Sequence, residues 1–221
     1  TSDSFGMGYL SGPGFENVPV RYAIVDGRAI FNGCIDMGSV EDVEREAAAL
    51  RAQLGQAVAQ SADVGIDPGV QRGVGLPPDS AFLWPNAVVP FLIDANLPAQ
   101  QRVHDAIAHF HDKTGVRFIP RTNQTNYIRF ISNGDANFSS SPIGMRGGEQ
   151  LIRISNGATM GTTVHECCHS LGILHEQSRC DRDKFVTINY ANVQAGFESN
   201  FDKFCDGFRD YNEYDFGSIM H

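Results

Sequence analysis

The chain has 221 residues, long for one average domain and short for two large ones. Acids outnumber bases 26 to 17, leaving a net charge of −9, which argues against a nucleic-acid binder with its basic face. Hydrophobic residues make up 42%, enough for a core, and no apolar run nears the roughly 18–20 residues of a membrane span; neither nucleic acid nor membrane is an expected partner.

Residues 1–72 hold ten acids, five arginines and one cysteine, with no lysine or histidine, whereas all seven histidines and four cysteines come later. One helix is expected in this first part. Ser39 with Asp42 makes a capping-box-like start, and Val40, Val43, Ala47, Leu50, Leu54 and Val58 recur at intervals of three and four. That stripe reads as a docking face for the larger part of the chain. The segment 61–80 contains four glycines and three prolines, a composition that predicts an exposed linker without regular structure.

Beyond it, 87–93 reads as a strand, and a helix is expected from near Pro98 through Val103, Ile107 and Phe110 to Gly115. Residues 116–119 and 127–131 read as strands, and 149–155 as an edge strand. Strands interleaved with helices predict a mixed sheet with helices packed on it.

The chemistry concentrates at 163–176. His165 and His169 are four apart, so on a helix their imidazoles share one face and can bind one zinc ion at about 2.0–2.1 Å each. Glu166 is rotated by about 100° and can stand beside the metal to take a proton from water. Gly172 can adopt positive φ and turn the chain so that His175 supplies a third nitrogen. Three protein ligands leave a position open, the mark of a catalytic site. HExxH alone also arises by chance on amphipathic helices; the full HExxHxxGxxH spacing is far more specific. Cys167 falls on the face opposite the histidines and reads as core packing or a disulfide half, with thiolate ligation as the alternative for it and Cys168.

The run His165-Glu-Cys-Cys-His-Ser-Leu-Gly-Ile-Leu-His-Glu-Gln-Ser-Arg-Cys-Asp-Arg-Asp183, followed by Val186-Thr-Ile-Asn189, Asn192-Val193 and Ser218-Ile-Met-His221, resembles the astacin family of metzincin proteases. Leu83-Trp84 and Arg117-Phe118-Ile119-Pro120-Arg121-Thr122 extend the likeness over about 73–221. The resemblance implies an α+β, astacin-like catalytic domain with a mixed twisted sheet and an active-site helix, one catalytic zinc held by His165, His169 and His175, Glu166 as the base, and Met220 as a hydrophobic floor under the ligands. It also implies a tyrosine after His221 and a C-terminal lobe, neither of which lies within these residues, so the domain is expected to be truncated. The family's usual cysteines are replaced, for example by Gly115. Cys180 and Cys205 are the pair expected to bridge, although four cysteines allow three connectivities.

Residues 1–72 resemble an astacin prosegment. There the family has Phe-x-Gly-Asp-Ile, with the aspartate blocking zinc; here the run is Phe31-Asn-Gly33-Cys34-Ile35. A thiolate from Cys34 would fill the open position of the latent form at about 2.3 Å, as in the cysteine switch of matrix metalloproteases. A disulfide half or a buried thiol is the other reading of Cys34, but five cysteines leave one unpaired.

The expectation is therefore a secreted zinc endopeptidase proenzyme that hydrolyses proteins or peptides and carries its own propeptide as intramolecular inhibitor. Substrate is expected along the strand holding Gln150, Leu151, Ile152, Arg153 and Ile154. Activation is expected at Arg72–Gly73, after which the new amine lies near Glu176. Two alternatives remain: an inactive binding module, opposed by the intact Glu166, and a matrix-metalloprotease-like enzyme, opposed by Glu176 and the Ser218–His221 run.

Overall fold

The computed structural model describes residues 4–12, 15–54, 73–136 and 138–221. The first part is an antiparallel meander of four strands in the order β1 (Phe5–Gly12), β2 (Phe15–Val25), β3 (Arg28–Phe31) and β4 (Ile35–Ser39). Two turns shape it. Asp26 and Gly27 (φ 49° and 75°) make the two-residue β2–β3 turn, and Asn32 and Gly33 (φ 51° and 86°) begin the β3–β4 turn. These residue types tolerate left-handed backbone at little cost, and the second turn leaves Cys34 at the hairpin tip.

Helix α1 (Val40–Leu54) follows at once, with Ser39 Oγ accepting the Asp42 amide at 3.1 Å. Val43 and Ala47 are buried, and α1 packs on β1, β3 and β4 of its own sheet. This corrects two expectations. Four strands accompany the helix, and the helix supports a sheet that itself docks on the rest of the chain. Tyr22, Ala29, Phe31, Ile35 and Val43 share one apolar cluster with Val74, Leu76, Ile143, Leu174, Phe204 and Phe208.

The remaining chain is built on a four-stranded parallel sheet in the order β7 (Arg117–Pro120), β6 (Val88–Ile93), β8 (Tyr127–Ser132), β9 (Glu149–Ile154). An antiparallel bridge between Ser140 and Arg153 on the outer side of β9 makes it mixed. Helices α2 (Gln101–Lys113) and α3 (Met160–Ser170) pack against each other and against strands of this sheet. Val103, Ile107, Phe110, Ile128, Ile152 and Val164 are among the residues that close the core between them. The α+β expectation holds, with element ends within a few residues of those read from the sequence.

The expected linker departs more clearly. Gly73–Gly75 form strand β5, antiparallel to β10 (Arg209–Tyr211), and residues 73–77 are buried. The physical reason is distant: Val74 and Leu76 enter the shared apolar cluster, and β10 supplies hydrogen bonds that local composition cannot reveal. Arg72 and Val58 lie outside the described residues. No helix among the described residues is long and apolar enough to cross a membrane.

Candidate active site

Helix α3 opens with a reciprocal cap: Thr159 Oγ1 accepts the Thr162 amide at 3.2 Å, and Thr162 Oγ1 accepts the Thr159 amide at 3.3 Å. One face carries His165 and His169. His165 Nδ1 donates to the Ile219 carbonyl at 2.9 Å, and His169 Nδ1 donates to the Ile173 carbonyl at 2.8 Å. A carbonyl only accepts, so both Nδ1 atoms carry protons and both Nε2 atoms present lone pairs. The helix ends ahead of Gly172, at φ 96°, where a Cβ would stand 2.6 Å from Leu76 Cδ1. Only glycine fits there, and Leu76 donates its amide to the Gly172 carbonyl at 2.9 Å. The chain turns back and delivers His175.

The three imidazoles converge with Cys34. His165 Nε2 and His169 Nε2 lie 3.1 and 3.2 Å from His175 Nε2, and Cys34 Sγ lies 3.5, 3.1 and 3.3 Å from the Nε2 atoms of His165, His169 and His175. Burial pushes the His175 pKa down to about 3, pushes His169 well below its ordinary value and lowers His165. Burial, and then the nearby Glu166, pushes the Cys34 thiol up. Four lone-pair donors thus crowd one point. This donor set suits a tetrahedral metal ion bound by three nitrogens and one sulfur, the chemistry of zinc.

Glu166 is buried beside this point. Its Oε2 has no hydrogen-bond partner among the described residues, and burial pushes its carboxyl well above the ordinary range. It shares a cavity of about 530 Å³ with Cys34, His165, Ser139 and Ile219. Met220 is buried in the main core, and its carbonyl accepts the Glu176 amide at 2.8 Å.

A second polar cluster lies behind. Glu176 Oε1 accepts the Asp215 amide at 2.9 Å and Arg179 Nη1 at 3.3 Å, whereas its buried Oε2 has no partner among the described residues. Gly73 stands next to it; a Cβ there would be 3.7 Å from that oxygen. Fully buried Arg179 also donates to the carbonyls of Gly73, Tyr211 and Asn212 and to Asp181. Sequence reasoning gave Arg179 no role, although it sits inside the run quoted for the family likeness. Cys180 and Cys205 form a disulfide, and Cys34, Cys167 and Cys168 are free; Cys167 is packed in the core.

Strand β9 ends the four-stranded sheet, as its edge-strand reading expects, but one isolated bridge covers it at Arg153. The Ser140 amide donates to the Arg153 carbonyl and the Arg153 amide to the Ser140 carbonyl, both at 2.9 Å, so β9 is not the edge at that point. The outer row is Ser140–Ser141. Ser141 donates its amide to the Cys34 carbonyl at 3.1 Å and accepts the Asp36 amide at 3.1 Å. Of β9, Gln150, Ile152 and Ile154 bury their side chains, and Leu151 and Arg153 line a cleft against the first sheet. The signal missed was a row of three serines, Ser139 to Ser141, with no apolar alternation.

The model of the peptidase family described as "Astacin" matches residues 78–221. Astacin-like metalloprotease toxin 1 of Loxosceles intermedia is 38% identical over 141 residues, covering 62% of this chain and 53% of that protein. Zinc metalloproteinase nas-13 of Caenorhabditis elegans is 35% identical over 159 residues, covering 69% of this chain and 34% of that protein. Among solved structures, high choriolytic enzyme 1 of Oryzias latipes, a hatching enzyme zinc-protease, is 34% identical with a TM-score of 0.54, covering 63% of this chain and 70% of that one. The match thus spans about half or less of the length of the two curated relatives.

Proposed function

Because the chain belongs to the astacin family of peptidases, we propose that it is the latent form of a secreted zinc endopeptidase, residues 1–72 being its inhibitory prosegment and 73–221 its catalytic part. The observation that carries this reading is the convergence of three Nε2 lone pairs on one point beside a buried, unpartnered glutamate. The Cys180–Cys205 bond suits an oxidising compartment.

His165, His169 and His175 would hold a zinc ion, which would supply Lewis-acid chemistry toward the scissile carbonyl and lower the pKa of water to about 7. Glu166 takes the proton of the attacking water and hands it to the leaving amine. Burial raises the affinity of this carboxyl for a proton, the direction that suits a group that first takes a proton and then passes it on. The Ile219 and Ile173 carbonyls hold the two helix imidazoles in the ligating tautomer. Protein or peptide substrate lies along Ser139–Ser141, pairing with the main-chain groups of Ser141 that Cys34 and Asp36 now use. In the latent chain Cys34 would supply the fourth donor, as a thiolate once the metal is bound.

Activation is cleavage between Arg72 and Gly73. The peptide nitrogen of Gly73 then becomes an ammonium near Glu176 Oε2, the buried oxygen without a partner among the described residues. The test is hydrolysis of a protein substrate by the zinc-loaded, processed chain, its loss on chelation and its return with zinc, with N-terminal sequencing of the active species. A start at Gly73 is expected. A start before Val64 or after Ser80 overturns the cleavage site, and no hydrolysis by zinc-loaded, processed protein overturns the enzyme reading.

A further inference from the structure

Arg102 on α2 is only 7% exposed, yet no carboxylate pairs with its guanidinium among the described residues. Nη1 donates to the carbonyls of Asn156 and Ala158 at 2.9 and 2.8 Å, and Nη2 donates to the Pro98 carbonyl at 3.1 Å. Nε is buried without a hydrogen-bond partner among the described residues. A cation buried on neutral carbonyls, with one donor left over, is a poor way to stabilise a core compared with a well-packed apolar side chain. What the guanidinium supplies is position. One nitrogen with two N–H groups grips the carbonyls on either side of Gly157.

The gripped turn is a wall of the active-site cavity. It joins β9 to α3, and Gly157, Ala158, Gly161 and Thr162 line the same cavity as Cys34, His165 and Glu166. Arg102 does not line that cavity and holds the turn from behind. Three further hydrogen bonds fix the turn. The Ser155 amide donates to Ser139 Oγ at 3.1 Å, the Asn156 amide to the Gly134 carbonyl at 2.8 Å and the Ala158 amide to the Ser155 carbonyl at 3.0 Å. A Cβ on Gly157 would meet nothing within 4 Å, so this residue faces open space. Once the prosegment leaves, the substrate stretch that takes the place of Cys34 runs beside this wall.

We propose that Arg102 is a positioning residue of the peptidase: it sets the turn around Gly157 as the wall against which substrate is seated beside the scissile bond. The proposal rests on the endopeptidase reading above. Arg102 touches neither substrate nor metal and takes no part in the proton transfers of Glu166. Its effect therefore belongs to substrate binding and appears in KM, with kcat per active site little changed. A merely structural role has the opposite signature, since partial misfolding lowers the number of active sites and leaves KM as it was.

The test is steady-state hydrolysis of one extended peptide by processed, zinc-loaded enzymes whose active sites are counted with a tight-binding zinc-directed inhibitor. Arg102→Met keeps the bulk and removes every donor, and should raise KM on the order of tenfold with kcat per site within about twofold. Arg102→Lys should recover most of that loss, because an ammonium has three N–H donors for the same carbonyls. A second variant does not depend on Arg102 folding. Gly157→Leu projects a side chain from the wall into open space, and should raise KM on the order of tenfold at an unchanged unfolding midpoint. In the intact chain, Arg102→Met should speed amide hydrogen exchange at Asn156–Ala158 and leave α2 protected. Wild-type KM in Arg102→Met or in Gly157→Leu overturns the proposal, as does a fall confined to kcat per site. If Arg102→Met does not fold, Gly157→Leu and Arg102→Lys decide: wild-type KM in the first, or no lower exchange protection at Asn156–Ala158 in the second, overturns it. No hydrolysis by the wild-type processed enzyme removes the endopeptidase reading and the positioning role with it.

Discussion

His165 and His175 are ten residues apart and reach the centre of the ligand cluster from one capped helix and the turn after it. Cys34 comes from 131 residues before His165, on a hairpin tip held by strand pairing with Ser141 and by the Asp36–Arg153 ion pair. One side of the site is thus fixed by local chain geometry and the other by an interface. The two buried carboxylates repeat the contrast. Asp36 has both oxygens satisfied in the intact chain, whereas Glu176 keeps one oxygen without a partner among the described residues. The intact chain satisfies its buried carboxylate at the interface and leaves one oxygen over beside Gly73. Prosegment loss would break the first cluster, and the proposed cleavage would complete the second.

Substitutions on the two sides should therefore separate turnover from latency. The largest effect belongs to the catalytic side. Glu166→Gln keeps shape but cannot accept a proton, so kcat of the processed enzyme should fall by about 100-fold to 10,000-fold with zinc content unchanged. Near-normal kcat at full metal loading would sink the assignment and blur the contrast.

On the interface side, Cys34→Ala should leave turnover of the processed enzyme intact and abolish latency, so that intact protein is recovered poorly because it cleaves itself. Cys34→Asp should restore latency, since a carboxylate oxygen can take the same donor place. X-ray absorption at the zinc edge of the intact chain should find a sulfur scatterer at about 2.3 Å; a shell of nitrogen and oxygen only means that Cys34 is not the lock.

Asp36→Asn probes the interface away from the metal. Removing one partner of a buried ion pair costs about 3–5 kcal/mol, and the partial exposure of Arg28 and Arg153 brings this toward about 2 kcal/mol. The prosegment should be cut faster by an added protease, with the sulfur signal still present. An unchanged cutting rate shows that strand pairing alone holds the interface. The smallest effect is expected at the α1 cap, where Ser39→Ala should cost about 1 kcal/mol, read as a lower unfolding midpoint of the intact chain and no change after processing.

The catalytic part was the more legible in sequence because its key spacings are local. HExxHxxGxxH is a statement about helix periodicity and one glycine turn, and both survive in any fold that holds the helix. The first part was read less well. Its strands contain Gly6, Gly8 and Pro19, poor strand formers in isolation, and they are stabilised by pairing across the meander. The Asp26-Gly27 and Asn32-Gly33 pairs were available hairpin signals and were passed over.

By itself the sequence determined the α+β class, the spacing that brings three histidines together with a glutamate next to the first, and a lone cysteine set where the family prosegment has its metal-blocking aspartate, because each follows from residue spacing along one element or from the likeness of a short run. The tertiary structure decided which backbone forms the edge at Arg153, that Gly73 lies against Glu176, and that Asp36 meets Arg153. The last two contacts join residues 103 and 117 positions apart (Gly73 to Glu176, Asp36 to Arg153). They depend on strand pairing and burial across the whole molecule, which local spacing does not encode.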